Sequence, residues 1–121
     1  MAAQEAKITS GSLIAADKVE GTEVYNRQGE KLGTIDDVMI DKVSGRAIYG
    51  IMSFGGFLGM GEKYHPVPWS ALTFDQNKGG FVIDADKSRL EKAPTYEGDN
   101  FQWTADYGRR VDQYYGAPSY W

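Results

Sequence analysis

The chain contains no cysteine, which excludes disulfides and thiolate metal sites. It contains one histidine, His65, and a zinc or iron centre draws on two or more nitrogen or sulfur ligands. Long apolar runs are missing as well. The longest near the N-terminus is Leu13-Ile14-Ala15-Ala16, far short of the roughly 18 residues of a membrane span. The same stretch lacks the basic start and the apolar segment of roughly 7–15 residues that mark a secretory signal. The expectation is a cytoplasmic protein with no transmembrane segment. There is no basic surplus either: 13 Lys and Arg stand against 17 Asp and Glu, for a net charge of -4. Arg109-Arg110 is the only tight basic pair, so a nucleic-acid backbone is not the expected partner. No βαβ alternation is visible, which argues against a parallel nucleotide-binding sheet.

What is present reads as short strands and tight turns. The length of 121 residues fits one domain with a core of its own. Residues 1–11 are polar and aperiodic and are expected to form a flexible arm. Thr22 to Tyr25 is a β-type run, followed by the turn Asn26-Arg27-Gln28-Gly29. Lys31 to Asp41 places Leu32, Ile35, Val38 and Ile40 at its apolar positions. The step from Ile35 to Val38 breaks strict alternation by one residue, and a β-bulge at Asp36-Asp37 restores it. After Val43-Ser44-Gly45-Arg46, residues 46–54 are rich in β-formers. Pro66 and Pro68 lack their N–H groups on the same side of residues 63–69, which predicts an edge strand or a bulge. Residues 69–72 suggest a helical turn, and 73–85 a hairpin turning at 76–79. Residues 86–93 predict a short helix capped by Asp86. Six short β-runs in this span predict a mainly β fold, a small barrel or sandwich.

Several features invite a chemical reading. Residues 56–61 carry the glycine spacing of a phosphate loop, but Glu62 and Tyr64 stand where that loop needs Lys and Ser or Thr. Glycines there let the chain turn sharply while Phe57, Leu58 and Met60 project, either as a contact surface or as a plug for a barrel end. Asp36, Asp37 and Asp41 lack calcium-loop spacing and read as a bulge with solvated acids. His65 reads as a structural or solvent-facing strand residue, and Trp69 as a core anchor.

The segment 95–121 holds 8 of the 16 aromatic residues. Trp103, Tyr107, Val111 and Tyr114 recur at helical spacing and form one stripe, with Tyr115 beside it. Asp106, Arg109, Arg110 and Asp112 fall largely elsewhere. Such a helix either covers its own barrel or clamps a second subunit.

Certain residues carry a family resemblance. They are Val24-Tyr25 with Gly29 to Gly33, Ile35 to Val38 with Ile40-Asp41, and Ser44-Gly45-Arg46. Ser53 to Gly59 with Gly61-Glu62-Lys63, and Val67 to Leu72, complete the set. From about Leu13 to Pro94 the chain resembles the PRC-barrel domain. The resemblance implies a small, strongly bent antiparallel β-barrel of about six strands over residues 12–94, with 95–121 as an aromatic, partly helical extension. It implies no catalytic residues and no cofactor.

The favoured expectation is a non-enzymatic interaction or assembly module that self-associates, a dimer first. Its candidate surface comprises Phe57, Leu58, Met60, Trp103, Tyr107, Val111, Tyr114 and Tyr115. A small-ligand or metal-binding domain is the alternative, and an RNA-processing or ribosome accessory factor is a further one.

Overall fold

The computed structural model describes residues 9–10, 13–54, 63–97 and 101–121. Phe57, Leu58 and Met60 lie outside them. A two-residue hairpin, β1 (Thr9–Ser10) with β2 (Leu13–Ile14), precedes the short helix α1 (Ala16–Val19). Six strands follow: β3 (Glu23–Tyr25), β4 (Lys31–Ile40), β5 (Ala47–Phe54), β6 (Tyr64–Pro68), β7 (Leu72–Asp75) and β8 (Gly80–Ile83). A 3-10 turn at Trp69–Ala71 joins β6 to β7. Helices α2 (Lys87–Glu91) and α3 (Ala105–Tyr115) complete the chain.

The sheet has the order β6-β5-β4-β3-β8-β7 and curls into a half-barrel. Neighbours pair antiparallel except β3 and β8, which run parallel. Ile35 pairs with Met52 and Asp37 with Ile51, so Asp36 is the extra residue of a bulge, as the broken alternation requires. The bulge keeps Val38 facing inward and turns Asp37 and Met39 to the other face.

β6 is an edge strand whose outward backbone offers no free N–H. Tyr64 exchanges both backbone hydrogen bonds with Tyr96, at 2.9 and 3.0 Å. Antiparallel geometry sends the backbone groups of every second residue the same way. Pro66 and Pro68 therefore occupy the other outward positions, and they have no N–H to offer.

Two apolar clusters sandwich the sheet. Inside, Val24, Leu32, Ile35, Met52, Val67, Phe81, Ile83 and Leu90 are all buried. Full burial of one such side chain is worth about 1.5–3 kcal/mol. Trp69 packs half-buried against this cluster, edge-on to Phe81 at 5.4 Å. Outside, Tyr49 and Ile51 of β5 meet Val111 of α3, with Met39, Tyr64, Tyr96, Trp103 and Tyr107 packed around them.

Candidate interaction groove

The aromatic segment is placed by its caps. Thr104 accepts the Tyr107 N–H on its hydroxyl and starts α3. Gly116 ends it at φ 67°, a left-handed conformation that glycine adopts most easily, and donates to the carbonyls of Asp112 and Gln113. Between the caps, Val111 is fully buried against Tyr49 and Ile51. Arg89 and Tyr114 clasp α2 to α3. The guanidinium donates to the Tyr114 carbonyl at 2.5 Å, and the Tyr114 hydroxyl donates to the Arg89 carbonyl at 2.7 Å. The same guanidinium lies 5.1 Å from the Tyr114 ring centre.

Upstream of α3 the rings assemble into a wall. Tyr96 stacks on Phe101 at 4.3 Å and an interplanar angle of 16°. Trp103 stacks on Tyr49 at 4.9 Å and stands edge-on to Phe101 at 5.9 Å and to Tyr107 at 5.4 Å. Contacts of this kind add about 0.5–1.5 kcal/mol each beyond area burial. Burial raises the Tyr107 hydroxyl to about 12. That hydroxyl and the one on Tyr115 find no hydrogen-bond partner among the described residues.

This wall borders a groove of about 800 Å³. Tyr64, Tyr96, Phe101 and Trp103 line its aromatic part, while Asp17 and Glu20 come from α1 and its C-terminal edge. Asp36 and Asp37 come from the bulge in β4. Asp36 accepts the Ser53 hydroxyl, and Asp37 accepts the Val38 N–H at 2.8 Å. Among the described residues, none of these four carboxylates has an ion-pair partner. The pairs are Arg27–Asp84, Lys31–Glu23, Lys87–Glu30 and Arg109–Asp106. Tyr96 senses the acids: burial first, then Asp37, raises its hydroxyl above the ordinary phenol range.

A second network fastens the end of the chain. The Tyr49 hydroxyl donates to Asp112 at 2.9 Å and accepts from the Trp121 indole N–H at 2.8 Å. Burial holds that phenol well above its usual range, with Asp112 adding to the effect, so it stays a donor. Asp112 also accepts the Tyr120 N–H at 3.0 Å. The Tyr120 hydroxyl donates to Asp41 at 2.7 Å and, with Ser44, brings that carboxyl down to about 2.

The helical stripe is thus brought together with its own barrel, except that Tyr114 turns to α2. Tyr115 touches both apolar clusters. Asp112, read from helical periodicity as lying off the apolar face, is buried, because Tyr49 and Tyr120 bring donors to it from outside the helix. His65 is buried in β6, and burial, aided by the Lys63 charge, lowers it to about 4. Sequence reading missed Asp17, Glu20, Tyr96 and Phe101 as groove residues. The aromatic enrichment of 95–121 pointed at two of them; nothing local pointed at the acids.

Bent sheet, short closing helix and aromatic flank define a small β half-barrel with one walled groove. A family model for the PRC-barrel domain matches residues 12–90. The chain belongs to the PRC-barrel family. Tyr96, Phe101, Trp103 and α3 lie beyond the matched span. Among solved structures, the chain is similar to one from Pseudomonas aeruginosa assigned as a 16S ribosomal RNA processing protein, RimM. Identity is 21%, the match covers 60% of this chain and 44% of that one, and the TM-score is 0.37. The chain therefore spans less than half the length of that protein. No curated protein matches it.

Proposed function

We propose that the chain acts by binding, as a protein-interaction and assembly module, and that the groove beside Tyr96, Phe101 and Trp103 is its recognition surface. The observation that carries this reading is the ready-made aromatic wall. Its rings hold one another at 4.3 to 6.4 Å, and Tyr96 is tied to the sheet edge through its backbone. A surface ordered in advance loses little side-chain entropy when a partner arrives. The test is a photo-crosslinking residue at Gln102, which is exposed between Phe101 and Trp103, compared with one at Asn77 in the β7–β8 turn. One host protein should be enriched from position 102, and Phe101→Ala should abolish its capture. Equal capture from both positions sinks the reading.

Self-association belongs to the same proposal. Ile40 and Val43 flank Asp41 along the chain, the Tyr120 hydroxyl reaches Asp41, and all three are large apolar residues left exposed. Exposed apolar patches of this kind mark protein contacts, and a second copy of the chain is the partner proposed for this one.

A further inference from the structure

We propose that the groove takes an extended, arginine- or lysine-bearing segment of a partner protein, with the cationic side chain on the aromatic wall and its charge turned to the carboxylates. The proposal rests on the reading of the groove as a recognition surface and names the chemistry that this surface accepts.

Four observations converge on it. Asp17, Glu20, Asp36 and Asp37 bring four carboxylates to one groove, and none has an ion-pair partner among the described residues. Opposite-signed ligands are steered to such a site, while phosphate groups are repelled, so nucleic acid and phosphopeptides are poor occupants. The rings of Tyr96, Phe101 and Trp103 line the same groove as those carboxylates. An ammonium, or better a guanidinium, within about 6 Å of an aromatic face is attracted by the ring quadrupole, and the planar guanidinium also stacks. Tyr96 is itself influenced by Asp37 and Asp36, which puts the acids within electrostatic reach of the wall. Finally, the nearby sheet edge is a poor template for an added strand, because Tyr64 is taken and Pro66 and Pro68 offer carbonyls but no N–H. A partner is therefore read chiefly through its side chains. A volume of about 800 Å³ accommodates a few residues of an extended chain.

The probe is a fluorescent glycine–arginine peptide titrated into the full chain. A glycine–citrulline peptide keeps the shape and loses the charge; a glycine–glutamate peptide reverses it. The arginine peptide should bind more weakly as salt is raised, shift the Trp103 indole resonance, and outbind the citrulline peptide about tenfold. The double variant Glu20→Gln, Asp37→Asn is exposed and isosteric, so the fold is retained. It should weaken binding by about three- to tenfold. Equal affinity for arginine and citrulline, or an unchanged double variant, overturns the proposal. Displacement by free spermidine at matched charge, as effective as by unlabelled peptide, reassigns the groove to polyamines and also overturns it. The two readings fail separately. If Gln102 still crosslinks its host partner in the double variant at wild-type yield, the cationic chemistry is wrong and the binding reading stands. If position 102 captures nothing, the binding reading fails first.

Discussion

Gly108 and Trp121 share one space: the indole of Trp121 lies where a side chain on residue 108 would begin. A glycine inside α3 costs up to about 1 kcal/mol of helix propensity relative to alanine. The packing of Trp121 on the helix and its hydrogen bond to Tyr49 offset that cost.

Gly108→Ala should therefore expel Trp121 with little change in overall stability. The helix gains up to about 1 kcal/mol, and the lost Trp121 hydrogen bond costs about as much. The readout is the Trp121 indole N–H resonance together with tryptophan emission, which should move toward a solvent-exposed signature. A resonance that stays in place refutes the shared-space relationship.

The Tyr49–Asp112 hydrogen bond should behave as a buried pair. Asp112→Ala leaves the Tyr49 hydroxyl only the long contact to the Gly108 carbonyl at 3.4 Å and strands the Tyr120 N–H, at a cost of about 1–3 kcal/mol, while Tyr49→Phe costs about 1 kcal/mol. Chemical denaturation of both single variants and the double variant should give a coupling of about 0.5–2 kcal/mol. Strict additivity would mean that the bond contributes nothing.

His65 makes the fold acid-sensitive. Its imidazole is lowered to about 4 in the folded chain, against about 6.5 when unfolded. Between those values the unfolded state binds a proton that the folded state does not. This contribution to stability is complete above about pH 6.5, declines as the pH falls, and levels off below about 4. The total is on the order of 3 kcal/mol. Urea midpoints across that window should show the slope in the wild type and a flatter one in His65→Gln. Parallel curves would assign the acid sensitivity to other groups.

Light scattering coupled to size exclusion should return a mass near twice 13.4 kDa for the full chain. Val43 is 95% exposed, so Val43→Asp is tolerated by the fold and should return the monomer mass. A wild-type monomer at high concentration counts against self-association through this patch.

The fold was legible where local pattern decides it. The missing beat between Ile35 and Val38 placed a bulge at Asp36-Asp37, where the structure makes Asp36 the extra residue, and of the edge strand or bulge that Pro66 and Pro68 required the structure shows the edge strand. The Tyr107–Val111–Tyr114 spacing anticipated α3, which starts at Ala105 and leaves Trp103 ahead of its cap, and the structure gives its apolar face to the chain's own sheet. Pairings between distant segments were not legible. The parallel contact of β3 with β8 joins residues nearly sixty apart, and no local periodicity encodes it. The groove is a further case. Asp17 and Glu20 meet Tyr96 and Phe101 only because α1 and the aromatic segment flank the same strands. A helical wheel puts Asp112 on the polar side because it cannot include donors arriving from Tyr49 and Tyr120.

The edge of β6 has a consequence for how copies of this chain can grow together. A sheet extends into a fibre only if both of its edges accept another strand. Tyr64 has spent its outward groups on Tyr96, and Pro66 and Pro68 have no hydrogen to give. Strand pairing between molecules is left with β7 at the opposite end of the sheet. Two molecules that join along β7 have used the one open edge of the six-stranded sheet that each possesses among the described residues, so pairing through that sheet closes at two rather than propagating into a filament.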